Sequence, residues 1–199
     1  MALIKKSPTW TPDMTPVKKQ LEDQQNAYVT SLLESGKAVI AGRLTDDQDI
    51  RGVVILRSQS ADEARTWANA APAVKSGYVI AEMHPWWSED IFRKPGFPLK
   101  FTQTYLGFLT RGEKWTPEKT PETEAIQKAH LANIGRLAEM KKLVAAGPFG
   151  DNGNLRGIFV FRVTSLEEAL ALSNTDPAVK AGRLKIDLHP WVVPEGVIP

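Results

Sequence analysis

Short apolar runs alternate along the second half of the chain with stretches whose apolar residues recur at helical spacing. Ile126, Ile134 and Leu137 recur in this way, and Ser165 opens a capping pattern of Ser-x-x-Glu before a second apolar stripe. The predicted elements are, in chain order, a strand over 104–110, a helix over 121–141, strands over 143–146 and 157–163, a helix from 166 to about 173, and a strand over 183–189.

The first half of the chain repeats this pattern 105 residues earlier. The offset aligns Trp-Thr-Pro at residues 10 and 115, Pro-Ala-Val-Lys at residues 72 and 177, and His-Pro-Trp at residues 84 and 189. One offset without insertions over this length indicates a duplicated domain rather than a short solenoid repeat. We predict domains over residues 1–87 and 101–199, joined by a proline-rich linker over residues 88–100.

The order of elements in each repeat is βαββαβ, which predicts the α+β class. In the ferredoxin-like arrangement this order gives a four-stranded antiparallel sheet with both helices on one face. The other face of such a sheet needs a cover. We therefore expect two tandem ferredoxin-like βαββαβ domains packed as an intramolecular pseudo-dimer of the dimeric α/β-barrel type. Pairing through edge strands would allow a further homodimer.

Composition narrows the classes of function. The net charge is only +2 and the basic residues are scattered, so we expect no nucleic-acid partner, although Phe159 and Phe161 are candidates for base stacking. No apolar run approaches the roughly 18 residues that a membrane span needs, so we expect no membrane partner. The chain has no cysteine and no nucleotide-binding or hydrolase motif. Without such a motif we expect no cofactor, and because the three histidines lack ligand spacing we expect no metal.

The start of the chain gives a hint about localisation. Met1 aligns with Leu106, which lies inside the predicted strand over residues 104–110. We hypothesise that a leader and a few strand residues preceded Met1 in the natural gene and were removed, which would imply export. Without a leader the default expectation is the cytoplasm, so the compartment stays open.

His130 is the first candidate for chemistry. It lies on the apolar face of the predicted helix between Ile126 and Ile134, and a histidine there can act as a general base when a carboxylate orients it. The turn after the second strand of the repeat offers Asp151 for that role. The alternative is a packed histidine that donates to a backbone carbonyl. The first repeat has Gln25 in place of His130.

Acidic residues and histidines share a strand face in both repeats, at Glu82 and His84 and again at Asp187 and His189. They are candidates for a charged pocket, or else a solvated strand end followed by a structural His-Pro-Trp. The Trp-Thr-Pro loops would form either the lip of a ligand pocket or a hydrophobic plug. The candidate substrate-binding residues are Glu82, His84, Trp115, Asp176, Asp187 and His189.

The second repeat resembles the YCII-related family. The resemblance rests on His130-Leu131, on the segment from Leu143 to Pro148, on Asp151 and Gly157, on Ser165–Ala169 and on Asp176–Gly182. The first repeat is similar but has Gln25, Arg43 and Ala71 where the second has histidine, proline and aspartate. The resemblance implies a ferredoxin-like domain that pairs into a barrel and a His–Asp dyad, here His130 and Asp151. Family members with proposed chemistry resemble cofactor-free lyases or dehydrochlorinases of aromatic or quinone-like substrates.

These observations leave two hypotheses for function. The first is a cofactor-free lyase, isomerase or dehydrochlorinase-like enzyme that moves a proton on a small, partly apolar or aromatic molecule, with His130 as base or acid and Asp151 orienting it. The second is a module of the same fold that binds a small molecule or a protein without catalysis. The loss of the histidine in the first repeat shows that one half of the chain does without it.

Overall fold

The computed structural model describes all 199 residues and divides into two compact units. Unit 1 contains Met1–Pro85, Phe92–Thr102 and Trp191–Pro199. Unit 2 contains Trp86–Ile91 and Gln103–Pro190. Each unit therefore holds most of one sequence repeat together with short segments from elsewhere in the chain.

Unit 1 follows the predicted order of elements and adds one short helix. Its elements are β1 (Ala2–Lys6), α1 (Pro16–Glu34), β2 (Ala38–Leu44), β3 (Ile50–Leu56), α2 (Ala61–Ala70), α3 (Pro72–Lys75) and β4 (Val79–Met83). The strands are joined antiparallel in the order β4-β1-β3-β2. On the other edge of β2, Leu44 pairs with Trp191 and Arg43 with Val192.

Unit 2 has the same topology. Its elements are β5 (Phe101–Arg111), α4 (Pro121–Glu139), β6 (Leu143–Pro148), β7 (Leu155–Phe161), α5 (Leu166–Ser173), α6 (Pro177–Lys180) and β8 (Leu184–Pro194). The strand order is β8-β5-β7-β6, and an isolated bridge joins Trp86 to Phe149. The predicted α+β class with two tandem ferredoxin-like domains is confirmed.

Helix α4 begins where the sequence predicts and ends two residues early. At its start Thr120 and Thr123 form a reciprocal capping box, in which each side chain accepts from the other residue's backbone amide, at 3.2 and 2.9 Å. At its end Lys141 adopts a left-handed backbone with φ of 57°, which closes the last turn.

Proline has a different effect at each of two places in unit 2. Pro177 lies after the end of α5 and begins the one-turn helix α6, because its fixed φ suits the first helical position. Pro190 was expected to end the last strand, yet β8 continues to Pro194. The segment after this proline pairs with β2, and the strand passes through a residue that cannot donate a hydrogen bond.

Each unit has its own apolar core between helices and sheet. In unit 1 the core includes Leu32, Leu33 and Ala41, and in unit 2 Leu137 and Phe161 lie at its centre with no exposed surface. No helix of the chain combines the length and apolar character that crossing a membrane would require.

Candidate functional site

His130 projects from α4 into the space between that helix and the sheet of unit 2. The residue is 8% exposed, and its ring stacks on Phe159 of β7 with centroids 6.0 Å apart and planes inclined by 17°. His130 therefore lies on the buried face of the helix, where the helical spacing of the apolar residues placed it. Burial against an aromatic ring limits the water around the imidazole without closing it off, since 10% of the side chain remains exposed.

The carboxylate that contacts His130 belongs to Asp176. Nδ1 of His130 lies 2.8 Å from Oδ2 of Asp176, and Asp176 has no exposed surface. The other oxygen, Oδ1, accepts from the backbone amides of Ala178 at 2.8 Å and Val179 at 3.4 Å, which caps α6. The helix start thus fixes the carboxylate, and the carboxylate fixes the imidazole.

Asp151, which the sequence suggested for this role, lies in the turn between β6 and β7. Its Oδ1 accepts from the backbone amide of Gly153 at 3.4 Å. The orienting carboxylate is instead supplied 46 residues after the histidine, by a position considered only for substrate binding. The usable signal was Asp176-Pro177 itself, because aspartate before proline is a strong helix-capping pair and brings its side chain back over the helix start.

The hydrogen bond determines which ring nitrogen can react. An ionised carboxylate only accepts hydrogen bonds, so neutral His130 carries its proton on Nδ1 and a lone pair on Nε2. Nε2 has no hydrogen-bond partner in the protein. It is not one of the fully buried polar atoms either, so it keeps some exposure. This arrangement presents a basic nitrogen to a molecule that reaches the site.

Three polar residues that the sequence reasoning missed surround the pair. Nδ2 of Asn133 lies 3.5 Å from Oδ2 of Asp176, and Nη2 of Arg136 donates to Oδ1 of Asn133 at 2.7 Å. The same Nη2 donates to Oγ1 of Thr175 at 2.9 Å. A stripe of polar residues three apart, continuing from His130 along α4, was the available signal.

Unit 1 fills the corresponding position differently. Oε1 of Gln25 accepts from the backbone amide of Ala73 at 3.1 Å, and Ala71 leaves α3 without a side-chain cap of its own. The hydroxyl of Tyr28 donates to the carbonyl of Trp67 at 2.8 Å. A small, mainly apolar cavity remains between these side chains. At this position unit 1 therefore keeps the cap but has neither an imidazole nor a buried carboxylate.

The acidic residues and histidines of the last strands are paired within each repeat. Nε2 of His84 lies 2.7 Å from Oε1 of Glu82, and Lys5 donates to Oε2 of Glu82 at 2.7 Å. The hydrogen bond from Lys5 lowers the pKa of Glu82, although partial burial acts in the opposite direction. In unit 2, Nε2 of His189 lies 3.3 Å from Oδ2 of the exposed Asp187. The two strands thus share an acid–histidine contact, but only the one in unit 1, where a lysine is added, has the geometry of a hydrogen bond.

Cationic side chains cover the tryptophans of the two Trp-Thr-Pro loops. The guanidinium of Arg111 lies 3.9 Å from the ring centroid of Trp115, and that of Arg156 lies at 5.8 Å. Lys6 and Arg51 lie 4.5 and 5.5 Å from the ring of Trp10. Cation–π contacts of this kind fix the loops to the neighbouring strands.

Comparison with known proteins matches both repeats. The model of the YCII-related domain matches residues 1–86 and again residues 110–191. The uncharacterized protein YjpA of Bacillus subtilis (strain 168) is 32% identical over 88 residues, which are 44% of this chain and 93% of that protein. The length of this match is that of a single repeat. The chain therefore belongs to the YCII-related family and carries two copies of its domain in tandem.

Proposed function

We propose that unit 2 is a cofactor-free acid–base catalyst that transfers a proton on a small, partly apolar or aromatic molecule. Nε2 of His130 is the base, and Asp176 takes the orienting role first considered for Asp151. The observation that carries the proposal is the 2.8 Å hydrogen bond between two buried side chains, which leaves Nε2 without a protein partner.

The geometry supports a defined sequence of proton movements. Nε2 takes a proton from a carbon acid of the substrate, and the ring becomes an imidazolium with Asp176 beside its Nδ1–H. The carboxylate keeps its hydrogen bond to that cation, and its charge acts at low local dielectric. Return of the proton to another atom of the substrate gives an isomerisation. If the electron pair of the broken C–H bond forms a double bond while a leaving group departs with the pair of its own bond, the reaction is an elimination.

A specific observation favours the second candidate function, that of a non-catalytic binding module. Unit 1 has the same fold, and Gln25 and Ala71 stand there in place of the histidine and the aspartate. The fold accordingly forms without the pair. Under this hypothesis the chain binds a small molecule or a protein, and His130 and Asp176 contribute only to the packing of unit 2.

A general probe of positioned bases separates the two functions. Nitrobenzisoxazole loses its ring carbon-bound proton to a base while its N–O bond breaks, and the cyanonitrophenolate product absorbs visible light. His130→Gln, which copies unit 1, should lower the protein-catalysed rate by about 100- to 10,000-fold, the usual contribution of a general base. Asp176→Asn should also lower it, because an amide no longer enforces the reactive tautomer.

The matched control for this assay is Gln127→Ala, an exposed position on the same helix. Its rate should equal that of the unsubstituted protein. Equal rates for the unsubstituted protein and His130→Gln, with both folded by circular dichroism, would refute the catalytic proposal and leave the binding module as the better account.

A further inference from the structure

The polar residues around Asp176 form a continuous chain from the surface to the buried pair. Arg136 is exposed, Asn133 is 7% exposed, and Asp176 is fully buried. Arg136 contacts Asn133 at 2.7 Å, Asn133 contacts Asp176 at 3.5 Å, and Asp176 contacts His130 at 2.8 Å. Each contact joins a donor to an acceptor, and the hydrogen bonds from both ends of the chain, Arg136 through Asn133 and His130 directly, are donated toward Asp176.

Chemistry allows only one orientation of the Asn133 amide within this chain. A guanidinium has donors and no acceptor, so it must face the carbonyl oxygen Oδ1 of Asn133. An ionised carboxylate has acceptors and no donor, so it must face the amide nitrogen Nδ2. Reversal of the amide would oppose donor to donor at Arg136 and acceptor to acceptor at Asp176. Arg136 thereby fixes which atom Asn133 presents to the carboxylate.

We propose that Asn133 and Arg136 are positioning residues for the acid–base pair of unit 2. Asn133 gives Oδ2 of Asp176 a second donor beside Nδ1 of His130, and Arg136 holds Asn133 in the orientation that allows this. Because the α6 amides hold Oδ1, both oxygens of the carboxylate are then restrained. This inference rests on the proposed function, and it adds two residues that act through Asp176 rather than on the substrate.

The first repeat provides independent support. Each polar member of the network is replaced there by a different residue, and the replacements occur together with the loss of the carboxylate. Tyr28, at the position of Asn133, donates instead to the carbonyl of Trp67. The aligned residues are Gln25 for His130, Tyr28 for Asn133, Ser31 for Arg136, Ala70 for Thr175 and Ala71 for Asp176.

The test uses two substitutions that preserve helix propensity. Asn133→Ala removes the second donor, and Arg136→Met removes the guanidinium but keeps a long side chain. The first measurement is the exchange of the Nδ1 proton of His130 with water, by NMR of protein labelled at histidine. The second is the rate with nitrobenzisoxazole. Lys128→Met, which removes an exposed cation of the same helix, is the matched control.

Both substitutions should speed exchange of the Nδ1 proton and lower the probe rate by about 10- to 100-fold, as loss of an outer partner does for metal-bound histidines. The double variant should be no worse than Asn133→Ala alone, because Arg136 acts through that amide. Arg136→Lys should recover part of the loss, since an ammonium still donates to Oδ1 of Asn133.

The exchange measurement needs no substrate, so it separates this inference from the proposed function. A slow Nδ1 proton that Asn133→Ala and Arg136→Met leave unchanged would overturn the positioning role while the catalytic proposal stands. If the rate losses of the two single variants add in the double variant, the positioning role is also overturned, because Arg136 would then act independently of Asn133. An inactive protein whose Nδ1 exchange responds to both substitutions would refute catalysis and retain the network.

Discussion

Among single residues, Glu168 shows how one carboxylate can serve several elements. Its Oε2 accepts from the backbone amide of Thr164 at 3.0 Å, just before α5, and its Oε1 accepts from Lys142 beside β6 at 2.7 Å. The hydrogen bond from Lys142, followed by that from the Thr164 amide, lowers the pKa of Glu168 to about 2. The ionised form is therefore favoured by the folded state.

This shift predicts a stability difference that depends on pH. A carboxylate whose pKa is lower in the folded than in the unfolded state stabilises the fold above its unfolded pKa, and the contribution disappears as pH falls to the folded value. Glu168→Gln should lower the melting temperature at pH 7, and the difference should shrink as pH falls from 4.5 toward about 2. Glu63→Gln is the control, because Glu63 accepts from the Gln59 amide without an ion pair. A difference that is constant with pH would contradict the charge argument.

Of the two residues in the candidate acid–base pair, only one could be predicted from the sequence. His130 could be assigned from the sequence, because helical periodicity places it on the face that meets the sheet. Its partner could not, since Asp176 reaches it only after the chain has crossed β6, β7 and α5 and turned at Pro177. Distances between residues so far apart in sequence depend on tertiary packing. The prediction of Asp151 rested on its position in the turn after β6 and on the family resemblance, and neither determines its distance from His130.

At the level of elements, α3 and α6 have the same sequence, Pro-Ala-Val-Lys, and different caps. Asp176 caps α6 from the adjacent position, whereas Gln25 caps α3 from another helix. Neither short helix was predicted, because one turn has too few residues to show a period. The two units thus fill equivalent positions with different residue pairs. Unit 2 has His130 and Asp176, and unit 1 has Gln25 and Ala71.

Replacing the residue pair of unit 2 by that of unit 1 tests whether the two pairs are interchangeable. Asp176→Ala removes a helix cap and leaves the buried Nδ1 of His130 without an acceptor, which together should cost roughly 2–4 kcal/mol of unfolding free energy. Adding His130→Gln should recover a substantial part of the lost unfolding free energy. The new amide oxygen can accept from the backbone amide of Ala178, as Gln25 accepts from that of Ala73. Urea denaturation of the two single variants and the double variant measures this. Additive losses would mean that the positions are energetically independent.

At the scale of the whole chain, the constant offset of the repeat was sufficient to predict the fold of both copies, because each copy shows the same alternation of strand and helix patterns. The segments that complete each unit could not be predicted from the sequence. His-Pro-Trp was read as a strand end, but β8 continues past it, and Trp191 pairs with Leu44 of unit 1. Pairing between segments so distant in sequence depends on tertiary packing, which a local pattern does not encode.

The contribution of Trp191 to unit 1 gives the last prediction. Trp191 has no exposed surface, and its indole lies so close to Gly42 that a Cβ there would be 2.3 Å from Nε1. Trp191→Ala should lower the unfolding free energy by about 3–5 kcal/mol, as loss of a buried tryptophan does, and should weaken hydrogen-exchange protection of the β2 amides. Trp87→Ala, at a site that is 66% exposed, is the control and should change stability by less than about 0.5 kcal/mol. Unchanged protection of β2 in Trp191→Ala would show that unit 1 completes its core without the segment after Pro190.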